Sequence, residues 1–361
     1  MRAMIAMSGG VDSSVAALLT QRAGYDCTGV TMRLYRPSGA QADSPKSCCS
    51  DGDEEDAAFV CFQLGIPHEA LCFSKCFEQR VIERFIRTYE VGRTPNPCID
   101  CNRFLKFEAL LDRALGEDYD VLVTGHYARI GIDEASGRWQ LRKALDGSKD
   151  QSYVLYTLTQ EQLAHLRLPL GELQKSGTRA IAQAHGLVNA KKHDSQDICF
   201  IPDGDHGAFL ERWTGKSYPA GEIIDLTGRT VGTHHGLIRY TVGQRRGLGV
   251  SAAEPLYVVA KDPARNTLTV GPETALYRRE LTASEFNWLS IPAPAGPIRA
   301  SARTRYHQTE RPVSVTPLLD GRVRVVFDEP QRAITPGQAV VLYDGDLVLG
   351  GGTIDDIAEE S

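Results

Sequence analysis

The sequence lacks any apolar run of the roughly 18 residues that a helix needs to cross a bilayer, so no membrane partner is expected. An excess of positive charge is missing too: 40 Lys and Arg stand against 46 Asp and Glu, a formal net charge of −6. That balance excludes a uniformly basic nucleic-acid binder but leaves room for a local basic face. No Gly-x-x-x-x-Gly-Lys-Ser/Thr occurs, which disfavours phosphoryl transfer of the P-loop kind, and no Gly-x-Gly-x-x-Gly follows a strand to suggest NAD. The opening stretch, Met1 to Met7, is interrupted at once by Ser8-Gly9-Gly10, so a signal peptide is not expected and the cytoplasm is the expected location. Nine cysteines, an odd number with no export signal, argue against a structural disulfide framework and leave catalysis, metal binding or burial to explain them.

At 361 residues the chain is long enough for two or three domains. Its first 130 residues or so alternate strand-like and helix-like runs, the pattern of an open parallel sheet with helices on both faces, so the fold class is α/β. Met4 to Met7, Cys27 to Leu34, His68 to Phe73 and Val121 to Thr124 read as strands. Val11 to Ala23, Asp53 to Leu64, Phe77 to Tyr89 and Asn102 to Leu115 read as helices. The period from Thr159 to Leu187 is helical, with Ser176 placed as a cap. After Phe200, turn-rich segments with short strands suggest a small linking domain, and alternation in Val313 to Leu318, Arg322 to Phe327 and Ala339 to Leu342 reads as a small β-barrel. The expected domains are 1–200, 201–281 and 282–361. Between Gly296 and Gln338 lie seven arginines (299, 303, 305, 311, 322, 324, 332) and four acids, the asymmetry an RNA-contacting surface needs.

The strongest motif is Ser8-Gly9-Gly10-Val11-Asp12-Ser13-Ser14, between an apolar strand and an amphipathic helix. Two glycines let backbone N–H groups approach an anion, three hydroxyls offer donors, and the helix N-terminus adds its positive dipole end, which together make a pyrophosphate cradle. Met32 and Gly125 fall at further strand ends, where ligands of such sheets sit; for Met32, ordinary core packing is an equal explanation by residue type. Thr94-Pro-Asn-Pro-Cys98-Ile-Asp-Cys101-Asn102 sets a Cys-x-x-Cys in a Pro-stiffened loop before a helix, where the dipole lowers a thiol pKa. Cys199 ends a polar loop, Asp194-Ser-Gln-Asp-Ile-Cys199-Phe200. No second pair has the spacing of a structural zinc site, Cys27, Cys61 and Cys72 sit in apolar contexts that suit burial, and Cys48 and Cys49 have no derivable role.

The seven-residue loop resembles the pyrophosphatase-loop family, which splits ATP between its α and β phosphates and adenylates an oxygen. With it, the segments at Asn96-Pro97, Cys101-Asn102, Gly125-His126-Tyr127-Ala128-Arg129, Lys149-Asp150-Gln151-Ser152-Tyr153, Cys199-Phe200-Ile201, Tyr240 to Gly249 and Pro336-Gly337-Gln338-Ala339 resemble, in the same order, the bacterial tRNA-specific 2-thiouridylases. That resemblance implies ATP with Mg2+ bound by Ala6, Met7, Ser8, Gly9, Gly10, Val11, Asp12, Ser13, Met32 and Gly125. It implies Cys199 as the residue that receives persulfide sulfur and Cys101 as its catalytic partner, the two ending as a disulfide. Asn96, Pro97 and Cys98 would touch the target base, and His126, Lys149, Asp150, Gln151, Arg305, Tyr306 and Gln338 would contact tRNA. The implied partners are tRNAs for lysine, glutamate and glutamine and a cysteine desulfurase or sulfur-relay protein, with the chain a monomer.

Many relatives have Asp where this chain has Cys98, so Cys98, Cys101 and Cys199 also suit a three-thiolate site for a 4Fe–4S cluster, and no metal ligand set is fixed. A small-molecule adenylating ligase and a non-catalytic RNA-binding protein are the competing functions. The ligase would need neither Cys101 nor Cys199, and the intact loop speaks against the binder.

Overall fold

In the computed structural model of the chain, which describes residues 1–35, 51–192 and 198–357, the alternation of one short strand dictates the first domain. β1 (Arg2–Ala6) turns Ala3 and Ile5 to one face and Met4 to the other, all three fully buried, so both faces of its sheet need a covering layer. Strands β1, β2 (Asp26–Arg33), β3 (His68–Cys72), β4 (Val121–Val123) and, after a hairpin of β5 (Ala128–Ile132) and β6 (Trp139–Lys143), β7 (Leu166–Arg167) are the strands of this domain. Five of them pair in parallel in the order β3-β2-β1-β4-β7. The Ala3 and Ile5 face is covered by α1 (Val11–Arg22), α2 (Asp51–Leu64) and the helix Lys175–Ala184, through Val15, Ala16, Val60, Cys61 and Ala182. The Met4 face is covered by a helical run from Pro97–Asp100 through the wide π turns of Cys101–Leu110 to Leu111–Gly116, through Phe107, Leu110 and Leu111.

Three local expectations need correction. The stretch from Thr159 to Leu187 is two helices, Gln160–Ala164 and Lys175–Ala184, divided by β7, and Ser176 is no cap. Gln174 holds the cap position without a side-chain bond, while the Asp146 carboxylate accepts the Lys175 N–H at 2.9 Å, so the helix is capped from a distant turn. The helix expected to follow the Cys-x-x-Cys already begins at Pro97: Pro at the first helical position and Asn96, whose Oδ1 accepts the Cys98 N–H at 3.2 Å, start it five residues early. Cys72 is exposed rather than buried, because it ends the edge strand β3 and its thiol lies 3.2 Å from Ser74 Oγ. Cys48 and Cys49 lie outside the described residues, as do the four residues Asp194 to Asp197 of the Cys199 loop.

The linking domain is a four-stranded sheet of β8 (Gly221–Ile224), β9 (Thr230–His234), β10 (Tyr257–Asp262) and β11 (Thr267–Gly271), ordered β10-β11-β8-β9 around Ile223, Val258, Leu268 and Val270. The last domain is a closed six-stranded barrel of β12 (Tyr277–Trp288), β13 (Ile298–Arg303), β14 (Arg311–Pro317), β15 (Val323–Arg332), β16 (Ala339–Asp344) and β17 (Leu347–Ile357), with β12 pairing β17 to shut it. The β5–β6 hairpin of the first domain extends the barrel sheet where Arg142 faces Leu347 on β17, and Arg129 and Arg142 grip Asp346 at 2.6 and 2.7 Å. One apolar core therefore runs from Met4 and Leu122 to Tyr343 and Val348. No helix among the described residues is long and apolar enough to cross a membrane.

The barrel arginines are also not the surplus their count implies. Arg299 pairs with Asp328, Arg303 with Glu310 and Asp150, Arg322 with Asp320, Arg324 with Glu280 and Arg332 with Glu273. Three of those acids lie outside the 296–338 window, on neighbouring elements that a linear count cannot see.

Candidate functional site

The nucleotide loop sits at the carboxyl end of β1, between the ends of β2 and β4. Gly9 is at φ +69°, and a Cβ there would stand 2.2 Å from the Asp53 carbonyl oxygen, so only glycine lets the loop lie on α2. Gly10 takes the cap position of α1 and no side chain caps that terminus, which leaves the first N–H groups of the helix for an anion. The hydroxyls divide otherwise than expected. Ser13 and Ser14 both donate to the Gly10 carbonyl, at 3.0 and 3.1 Å, and so shape the loop, while Ser8 is exposed with its Oγ 3.3 Å from Ser13 Oγ. Ala6 ends the strand, Met7 and Val11 are packed below, and Met32 is half-buried where two apolar cores meet.

Asp12, in the first turn of α1, is bound by residues that sequence reasoning missed. Lys175 Nζ lies 2.7 Å from both of its carboxylate oxygens and the Tyr127 hydroxyl donates to it at 2.9 Å, while the same hydroxyl lies 2.9 Å from Thr178 Oγ1, from which it can accept. Asn189 donates to the Gly9 carbonyl and to Ser14 Oγ, at 3.0 and 2.8 Å. Tyr127 stands inside a recognised segment, but Lys175 and Asn189 carry no motif and are brought in by tertiary packing alone.

The end of β4 ties this loop to the thiols. Gly125 seats its backbone against α1: a Cβ there would stand 2.7 Å from Ser13 N, so any side chain would push the loop away. The next residue, His126, is buried with Nδ1 2.7 Å from Thr124 Oγ1 and Nε2 3.4 Å from Lys106 Nζ. Burial and the Lys106 charge hold its pKa well below the usual value, so the imidazole is neutral. Lys106 also pulls on Cys98. The mass of protein around that sulfur pushes the Cys98 thiol above its ordinary value, although the residue keeps an exposed surface and Lys106 opposes the shift. The lowering expected from the helix N-terminus is thus overridden by desolvation. Tyr306 is pushed up to about 12 by burial and, less, by the negative charges that Asp150 and an ionised Cys98 contribute.

Cys101 and Cys199 pack against one apolar cluster built from Phe77, Phe85, Phe104, Phe200 and Phe209. Phe200 meets Phe77 and Phe85 edge-on at 5.5 and 5.3 Å, contacts worth about 0.5–1.5 kcal/mol each, and so pins the residue next to Cys199. None of the three thiols is in a disulfide. Among the described residues no three His, Cys, Asp or Glu side chains are grouped to hold a metal ion.

Several residues expected at tRNA hold the protein together. Asp150 is buried, accepting from Ala144 N, Ser152 N, Ser152 Oγ and Arg303. Gln151 Oε1 accepts from Tyr127 N at 2.9 Å, and Arg305 donates to the carbonyls of Val242 and Ala333. Gln338 donates to the carbonyls of Thr94 and Pro95, both at 3.0 Å, which fastens the barrel to the start of the Cys98 helix. Lys149 is half-buried on the turn after Asp146, and Pro97 is buried under that helix.

Comparison with known proteins agrees with this geometry in extent and order. Residues 1–203 match the tRNA methyl transferase HUP domain, residues 207–272 the tRNA methyl transferase PRC-barrel domain, and residues 278–354 an aminomethyltransferase beta-barrel domain. The chain is 47% identical over 354 residues to the tRNA-specific 2-thiouridylase of Acetivibrio thermocellus, spanning 98% of this chain and 99% of that one. It is 49% identical to that of Symbiobacterium thermophilum (98% and 92% covered) and 48% identical to that of Geotalea uraniireducens (98% and 95% covered).

Proposed function

The chain belongs to the tRNA-specific 2-thiouridylase family, and on that footing we propose that it uses ATP to replace the 2-oxygen of a wobble uridine in tRNA with sulfur. The observation that carries the reading is the pair Gly125-His126. One residue is pressed onto the N-terminus of α1 and the next reaches Lys106 beside Cys98, so two adjacent residues connect the nucleotide loop to the thiol helix.

The uncapped α1 terminus and Gly9-Gly10 bind the phosphates of ATP, and Asp12 holds Mg2+, which supplies charge neutralisation at the phosphates. Lys175, now on Asp12, is within reach of the same anions. Asn96, Pro97 and Cys98 face the target base; attack of its 2-oxygen on the α-phosphorus releases pyrophosphate and leaves that oxygen as part of AMP, a good leaving group. The terminal sulfur of a Cys199 persulfide adds to carbon 2 and AMP departs. The Cys101 thiolate then attacks Cys199 Sγ, the bond between Sγ and the transferred sulfur breaks, and 2-thiouridine is released with a Cys101–Cys199 disulfide that an external thiol reduces.

The tRNA set is that for lysine, glutamate and glutamine, and the sulfur comes from a cysteine desulfurase or a relay protein. The test is a thiolation assay with ATP, tRNA and a persulfide donor: Cys199→Ser abolishes 2-thiouridine while tRNA and ATP binding persist. A variant that still forms 2-thiouridine at the wild-type rate would overturn the assignment of Cys199, and wild-type protein that forms none would favour a small-molecule ligase.

A further inference from the structure

The segment from Tyr240 to Gly249 is a built loop that the thiolation chemistry does not use. Thr241 N donates to Gln244 Oε1 and Gln244 Nε2 donates to the Arg246 carbonyl, both at 3.0 Å, so one side chain staples the loop from inside. Gly243, Gly247 and Gly249 all adopt positive φ, at +87°, +77° and +68°, which bends the chain twice within seven residues. Its two ends are fixed: Leu248 is buried in the core of the linking domain, and Gly243 lies against the barrel, where an added Cβ would stand 2.8 Å from Ala333 Cβ.

Between those anchors Arg245 and Arg246 are exposed, and neither is ion-paired or hydrogen-bonded through its side chain among the described residues. Five of the barrel arginines, by contrast, are held by acids. The concavity of about 400 Å³ beside the loop is lined by Arg245, Gly247, Gly249 and Glu254, the last its only acid. Arg305 reaches the loop at the Val242 carbonyl and also donates to Thr335 Oγ1, and the carbonyl of the next residue, Pro336, accepts the Thr94 N–H, so the loop adjoins the segment that leads into the Cys98 helix. A loop held rigid by its neighbours, presenting two unneutralised guanidinium groups beside a base-modifying centre, fits successive phosphates of a polynucleotide.

We infer that Arg245 and Arg246 form a phosphate grip for the RNA backbone of the substrate, supplied by the linking domain. This rests on the tRNA reading above. The measurement is binding of an unmodified tRNA transcript with a wobble uridine across a potassium chloride titration. For R245Q/R246Q, Kd rises about tenfold near 0.1 M salt and the slope of log K against log salt becomes shallower by about 2, with ATP binding and thermal unfolding unchanged. R245K/R246K, which keeps the charge, recovers most of the affinity and the slope, and R299Q behaves as wild type. Unaltered Kd and slope in R245Q/R246Q would overturn the inference while wild-type tRNA binding stands, as would loss of affinity that the lysine variant does not restore. Wild-type protein that binds no tRNA would overturn the thiolation reading itself.

Discussion

The nucleotide loop and the thiol site differ in how complete each is before any substrate arrives. In the loop, Gly9 is locked on Asp53, both buried serines are spent on Gly10, and Gly125 braces the helix end. At the thiols, Cys98 and Cys101 are fixed on a helix and Cys199 precedes a pinned Phe200, yet none of the three is in a disulfide. The difference matches the proposed chemistry. A phosphate cradle gains from being preorganised, whereas a sulfur that is loaded by a partner and then passed to an RNA base must have room to change partners.

The comparison can be broken most forcefully at Gly9. Gly9→Ala places a methyl at φ +69° against a backbone carbonyl, and a loss of at least about 2–3 kcal/mol in unfolding free energy, together with lost ATP binding, is expected from thermal and denaturant unfolding. Lys175→Met tests whether the cradle includes a residue outside the motif. The KM for ATP is expected to rise about tenfold with tRNA affinity unchanged, because a buried cation beside the phosphates is lost. At the thiol side, Gln338→Ala removes two hydrogen bonds to Thr94 and Pro95, each worth about 0.5–1.5 kcal/mol. A several-fold fall in kcat with KM for ATP unchanged would mark Gln338 as positioning the Cys98 helix.

The smallest effect is a pH dependence at Asp100, between the two cysteines. Burial raises its pKa from 3.8 to about 6 against the pull of Arg84 and Arg103. The folded protein then binds this proton more tightly than the unfolded chain, so the group adds stability as pH falls through about 6 and that increment is lost above it. Asp100→Asn should flatten the wild-type decline in Tm between about pH 4 and 6.

What could be read from the chain follows the same division. The cradle is seven contiguous residues between a strand and a helix, so periodicity and motif fix it together. Lys175 lies 163 residues from Asp12 and reaches it only through the packing of two helices on one sheet face. The barrel was legible from strand alternation, but its arginine surplus was not real, because Glu280 on β12 and Glu273 just before it neutralise arginines of β15. Cys98 shows the converse limit: its place near a helix N-terminus was readable, while the desolvation that reverses its pKa shift depends on the surrounding fold.

The most direct test of the account is a single turnover by iron-free protein, purified anaerobically, loaded with persulfide at Cys199 and given ATP and unmodified tRNA. One 2-thiouridine and one AMP per chain, with a Cys101–Cys199 disulfide found by mass spectrometry, is the expected result. Thiolation that appears only after about four irons per chain are restored would contradict it, and would assign Cys98, Cys101 and Cys199 to a cluster instead.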